Sequence, residues 1–339
     1  MNTNANWGLV GHDWAVSSLS RDLAVGHIRH AYLFLGPAGI GRRTLAQAFA
    51  QALLCGDAPP CPDNRCCTLV AHNTHPDLTL LTPEVSGRFI KSAKISVDAV
   101  RELIYNVSLK PVESQRRVAI VLNFEAAQAA AANALLKTLE EPPDDTVLIL
   151  TAEREEQLLP TITSRCERLL LRPLPVRLVK QALVTRWQRP DDEATLLAHL
   201  SGGRLGWAVN MAQDPDALAR RQNYLTELND LLSQTRVAQF AYAEKLAEDR
   251  EKLAEALELW QSWWRDVLLQ ASGSTSPLVN IDCLDQTAAA ARRYTVEDVT
   301  AMLQAVRQAR QQLDQNANAR LTLEVLLLSL PNTTRVNVR

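Results

Sequence analysis

No apolar run in this 339-residue chain approaches the ~20 residues that a membrane span requires. The amino terminus, MNTNANWG, is polar and has no basic region leading into an apolar core, so it does not read as a signal peptide. These two absences predict a cytoplasmic protein without a membrane partner. Charge of one sign is not in excess either: the net charge is -2, so no global basic field proposes nucleic acid, and any such contact needs a local basic patch. No fixed-period repeat is present. Hydrophobic residues make up 47% and charged residues 22%, which excludes a disordered chain. At this length two or three domains and a sizeable core are expected.

Cysteine is sparse, but four of the six lie in one short stretch: Cys55, Cys61, Cys66 and Cys67. In a chain expected in the cytoplasm, such a cluster suggests metal more than disulfides. Four thiolates suit tetrahedral zinc. Adjacent cysteines diverge, which makes Cys66 and Cys67 awkward joint ligands; His72 and His75 are substitutes, and free thiols in a surface loop are the alternative. His75, in HPD, reads more as a turn residue at the start of a strand.

Five apolar runs read as strands: AYLFL (31–35), DLTLL (77–81), RVAIVL (117–122), TVLIL (146–150) and ERLLL (167–171). They are continuous rather than alternating, as in a parallel sheet covered on both faces. Helical segments fall between them at 44–54, 97–107 and 126–140. After RPLP (172–175) no strand-like run recurs, and helix-period segments fill the remainder. The expected class is therefore α/β plus all-α. It divides into an α/β domain at 1–172, a small helical domain at 173–213 and a helical C-terminal domain at 214–339.

GPAGIGRRT (36–44) lies between the first strand and a helix, the setting of a phosphate-binding loop. Gly36 and Gly41 fall on the glycines of G-x-x-x-x-G-K-[ST], with Gly39 between them. Arg42 stands where the lysine belongs and Arg43 where the magnesium-holding hydroxyl belongs; Thr44 comes one position late. Arginine keeps the charge but not the shape. A second part is also missing. The acid that should end the strand RVAIVL is replaced by Leu122 and Asn123, and Glu125 comes only later. Two defects in one machinery favour a domain that keeps the fold without the chemistry. Nucleotide binding stays open; hydrolysis is not expected.

AANALLKTLEEPP (131–143) is a strong helix former halted by Pro142-Pro143. Its Glu140 and Glu141 fall at a helix C-terminus, where negative charge is unfavourable. They are either a solvated end or a contact to a positive or subunit-facing group. In TITSRCER (161–168), Arg165 stands between Ser164 and Cys166 before the last strand. Alone it reads as a surface charge; in combination it could stabilise phosphoryl-transfer charge in a neighbouring subunit.

Together these stretches resemble the clamp-loader branch of AAA+ proteins, along with LVGH (9–12), THPDL (74–78) and NARLTLEVLLLSL (318–330). The likeness covers essentially the whole chain. It implies an AAA+ P-loop parallel-sheet domain, a small helical lid and a helical collar through which subunits form a ring. It implies a zinc-binding insertion at 55–67, with Cys55, Cys61 and Cys67 on family positions, Asn64 on the fourth and Cys66 displaced. Arg165, in its SRC motif, is implied as an arginine finger acting in trans, and Arg204 loosely as a second sensor. The implied partners are motor subunits of the tau/gamma type, a delta subunit and, through the assembly, the sliding clamp and primed-template DNA. The chain reads as a non-hydrolysing member of such a loader; the alternative is its ATP-hydrolysing motor. A metal-binding DNA-repair ATPase leaves NALLKTLEEPP and SRC unexplained together.

Overall fold

The computed structural model describes residues 6–56, 59, 64–83, 94–315 and 317–331. The chain packs as two compact units. One runs to Gln188 and takes in Gly203–Val209; the other comprises Arg189–Gly202 and the chain from Asn210.

The first unit contains α1 (Asp13–Val25), β1 (Ala31–Leu35), α2 (Arg42–Cys55), α3 (Arg65–Ala71), β2 (Leu78–Leu81) and α4 (Val97–Ser108). There follow β3 (Arg117–Val121), α5 (Ala129–Glu140), β4 (Thr146–Ala152), α6 (Pro160–Thr163), β5 (Glu167–Leu170) and α7 (Val176–Trp187). The strands form one parallel sheet in the order β2-β3-β4-β1-β5. Every residue of β1, β3 and β4 is buried, which is why these strands read as unbroken apolar runs, whereas edge strand β5 buries only Leu169. Side chains alternate between two cores. Tyr32, Phe34, Ile120 and Ile149 pack with Leu45 and Phe49 of α2; Leu33, Leu35, Val121 and Leu150 pack with Leu103 of α4 and Leu135 of α5. With α2 on one face and α4 and α5 on the other, the crevice at the carboxyl ends of β1 and β3 is where such a sheet binds ligands.

Local chemistry sets the helix ends. Ser96 caps α4 by accepting from the Ala99 N–H, and Asn64 caps α3 by accepting from the Cys66 N–H. Helix α3 and helix α1 are elements that the periodicity did not separate. Helix α5 starts at Ala129, three residues later than its alanine-rich run predicts, because Phe124–Ala126 form a 3-10 turn first.

Helices α8 (Asp191–Leu200), α9 (Leu205–Gln213), α10 (Ala217–Leu231), α11 (Arg236–Ala247), α12 (Arg250–Ala271), α13 (Leu284–Arg293), α14 (Val296–Asp314) and α15 (Ala319–Leu328) complete the chain. The stretch expected as a lid divides here: α8 belongs with the C-terminal helices, and Gly203–Val209 with the sheet. In the second unit α12 is the central element, packed against α10, α11, α13 and α14. Its Trp260, Trp263 and Trp264 are fully buried, and Trp263 meets Trp264 edge-on at 4.9 Å between ring centroids. The parallel sheet clothed in helices and followed by an all-helical unit is the fold class expected from the sequence. Among the described residues no helix is long and apolar enough to cross a membrane.

Candidate functional site

The loop after β1 borders an open cleft of about 290 Å³ at the carboxyl ends of the strands. Gly39, Gly41, Arg42, Arg43 and Thr44 line it from the loop and α2, Leu122 and Asn123 from the end of β3, Thr151 from β4, and Gly206 from the start of α9. Two glycines are forced by contact. Gly36 has φ 146°, and a Cβ there would lie 2.8 Å from the Leu171 carbonyl oxygen; Gly39 has φ 77°, and its Cβ would lie 2.7 Å from the Trp207 nitrogen. The Gly39 carbonyl accepts from the Gly206 N–H at 2.8 Å. The loop is thus held by the chain's own segment 203–209. His12, from LVGH, supports it from the other side: its Nε2 lies 3.0 Å from the Ile40 carbonyl oxygen, and burial pulls its pKa below the ordinary imidazole value. Arg204 stacks its guanidinium over the Trp207 ring at 5.4 Å.

Arg42 is buried, only 7% exposed. Its Nη2 donates to Asn123 Oδ1 at 3.3 Å, and its Nη1 lies 3.9 Å from Glu125 Oε1, an ion pair too long for a hydrogen bond. Burial lowers the Arg42 pKa and raises that of Glu125, and their mutual attraction opposes both shifts. So the guanidinium at the lysine position faces a carboxyl group from the 3-10 turn that follows β3. Asn123 reaches it from a left-handed backbone, φ 50°, pinned by its N–H donating to Thr151 Oγ1 at 2.9 Å. Arg43 and Thr44 are exposed at the start of α2. At the positions where magnesium ligands usually stand the cleft presents Arg43, Leu122 and Asn123, and no carboxylate is among its lining residues. The pairing of Arg42 with Glu125, more than eighty residues apart, carries no sequence signal.

A second cluster joins the two other motifs. Arg165 follows α6, and its Nη2 lies 2.7 Å from Oε1 of Glu140 at the end of α5. Its Nη1 donates to the Thr161 carbonyl at 2.8 Å and to Ser164 Oγ at 3.3 Å. Both side chains of the ion pair stay partly exposed, 34% for Arg165 and 50% for Glu140. The charge at the end of α5 therefore has a cationic partner, one of the two readings the sequence left open. Cys166 is different in kind: it is buried in the core, and burial pushes its thiol up to about 12, so it packs as a neutral side chain.

Of the cysteine cluster, Cys61 lies outside the described residues. Cys55, ending α2, and Cys66, in α3, are joined in a disulfide, with Cα atoms 5.7 Å apart. Cys67 is buried, and Cys166 and Cys283 are the free cysteines among the described residues. His75 Nδ1 accepts from the Asp77 N–H at 3.1 Å and its ring is buried, so it shapes the start of β2, while His72 is exposed after α3. Among the described residues no three His, Cys, Asp or Glu side chains converge as a metal-binding group.

THPDL also contains a site that periodicity does not signal. Asp77, 1% exposed, accepts from the backbone N–H groups of Val112, Glu113 and Ser114 at 2.7 to 2.8 Å, with the Arg117 guanidinium 3.8 Å away.

Comparison with known proteins agrees with this architecture. Residues 11–175 match the family described as DNA polymerase III, delta subunit, and residues 215–331 the one described as DNA polymerase III, delta subunit, C terminal. The DNA polymerase III subunit delta' of Bacillus subtilis (strain 168) is 31% identical over 309 residues, covering 89% of this chain and 91% of that protein. The Pseudomonas aeruginosa subunit delta' is 42% identical over 180 residues, 51% of this chain and 53% of that one. The tau/gamma subunit of Haemophilus influenzae is 26% identical across 94% of this chain but only 48% of its own length. With a parallel-sheet unit ahead of a helical C-terminal unit, and a delta' relative matched along nearly its whole length, the chain belongs to the delta' subunit family of bacterial DNA polymerase III.

Proposed function

We propose that this chain is the non-hydrolysing delta' subunit of a clamp loader, acting in the cytoplasm on a neighbour's ATP rather than on its own. Its partners are motor subunits of the tau/gamma type and a delta subunit and, through the assembly, the sliding clamp and primed-template DNA. One observation carries this reading: Arg42, at the lysine position, is buried against Asn123 and Glu125, while Leu122 and Arg43 occupy the places of the magnesium ligands. A motor subunit needs that lysine, hydroxyl and acid to neutralise and orient the transferred phosphoryl group. The helical C-terminal unit serves as the collar, and Arg165, partly exposed after α6, as the finger presented to the adjacent nucleotide. Purified alone, the protein should show no ATP turnover above background in a steady-state phosphate-release assay. A clear rate that disappears in an Arg42→Ala variant sinks the non-hydrolysing reading and favours the motor.

The cysteine cluster fits zinc only in its reduced form. Cys55 and Cys66 are close enough to share one ion as thiolates, but not while they are bonded to each other. Cys55, Cys61, Cys66 and Cys67 would hold it, and a four-thiolate zinc supplies a structural cross-link without catalysis. Protein purified under reductant should contain about one zinc per chain by metal analysis, as one tetrahedral site requires. Metal-free protein in which Cys55 and Cys66 resist alkylation until reductant is added removes the zinc site in favour of the disulfide.

A further inference from the structure

The proposed finger is held in place from outside its own motif. Arg165 carries five N–H donors. Nη1 donates to the Thr161 carbonyl at 2.8 Å and to Ser164 Oγ at 3.3 Å, and Nη2 makes an ion pair with Glu140 at 2.7 Å. That leaves the Nε–H and the Nη2 edge beside it, donors of the kind that recognise phosphate side by side. An arginine is otherwise a flexible side chain with a large rotamer entropy. Three anchors on one guanidinium restrict its plane before any nucleotide arrives. Glu140 is the one anchor that is neither in nor beside the SRC segment. It comes from α5, whose last turn gains nothing from a negative charge.

We infer that Glu140 is a positioning residue for the trans reaction: it orients the Arg165 guanidinium so that its remaining N–H groups meet the neighbouring subunit's ATP. This rests on the trans-arginine reading above. It joins the LEEPP stretch to the SRC stretch in one device, with Pro142-Pro143 ending α5 where its glutamate can reach α6.

The test is made in the reconstituted loader with clamp and primed DNA, measuring ATP hydrolysis against ATP concentration. Glu140→Ala should lower kcat about tenfold, as expected when a reacting group is misplaced by an ångström or less, with KM for ATP unchanged. Glu140→Gln keeps an acceptor at the same reach and should recover most of that loss. Alanine is the best helix former and the ion pair is solvent-exposed, so the melting temperature and the assembly of the ring should not change. In an Arg165→Ala background, Glu140→Ala should cost nothing further. If Arg165→Ala slows hydrolysis and Glu140→Ala does not, the positioning role is wrong and the finger stands. If neither does, the finger reading has failed and this inference with it. A loss of ring assembly or a lowered melting temperature in Glu140→Ala, or no recovery with Glu140→Gln, makes Glu140 a structural residue and also overturns the inference.

Discussion

Arg165→Ala should leave this subunit folded and, on the proposed trans-arginine reading, reduce ATP hydrolysis at the adjacent subunit's site by about a thousandfold, the lower end of what arginine fingers contribute to phosphoryl transfer. The fold is insensitive because the arginine is partly exposed and its pairing with Glu140 is worth ~0–1 kcal/mol. The reaction is sensitive because charge accumulating on the transferred phosphoryl group would lose a fixed cation in a site that excludes water. The rate of the whole loader should fall by that site's share, or further if the motor sites fire only together. Arg165→Lys should recover little, since an ammonium lacks the fork that meets two oxygens while still donating to the Thr161 carbonyl. Single-turnover hydrolysis by the assembled ring, with wild-type and variant subunits exchanged into the same motor preparation, measures the effect. An unchanged rate with the ring intact would exclude the finger role.

The largest effect on stability is expected at Asp77. Its carboxylate accepts three backbone N–H groups from the loop between α4 and β3 and lies beside the Arg117 guanidinium, itself only 7% exposed. Burial alone would push the Asp77 pKa up, but the three N–H groups and Arg117 outweigh it and hold the carboxyl below the usual carboxylate range. Asp77→Ala strands these donors and leaves a buried cation with less compensation, a loss of ~3–5 kcal/mol. For a domain of this size that lowers the melting temperature by roughly 10 °C. The pH dependence has a definite sign. Because the folded pKa is depressed, the charge contributes fully above the unfolded value of about 4 and is lost as pH falls through the folded value. The gap between wild type and Asp77→Asn, followed by circular dichroism melts of the sheet unit, should be widest near neutral pH and narrow below about pH 4. A constant gap across that range would show that the carboxylate's charge is not what holds the loop.

Much of this molecule is legible one segment at a time. AYLFL, RVAIVL and TVLIL predict buried parallel strands because β-branched and leucine runs without alternation suit a sheet covered twice, and β1, β3 and β4 are buried at every position. The glycines of GPAGIG announce backbone that side chains cannot adopt, and Gly36 and Gly39 adopt it. Pro142 announces the end of a helix, and α5 stops at Glu140. What stayed hidden involves partners far apart in the chain. Arg42 reads as a damaged lysine; that Glu125 and Asn123 receive it depends on the end of β3 lying beside the loop after β1. THPDL reads as the start of a strand; that Asp77 anchors residues 112–114 depends on how the chain returns from α4.

By itself, then, the sequence determined the five strands and most of the helices, and that Arg42 and Arg43 stand where a phosphate loop usually has a lysine and a hydroxyl. Those properties follow from local sterics, periodicity and residue chemistry, which neighbours along the chain encode. Only the tertiary structure decided where the charges go: Arg42 to Glu125, Glu140 to Arg165, Asp77 to the loop before β3. Short-range electrostatics act over a few ångströms of space and are indifferent to separation along the chain, so these pairings exist only once the sheet has brought its strand ends together.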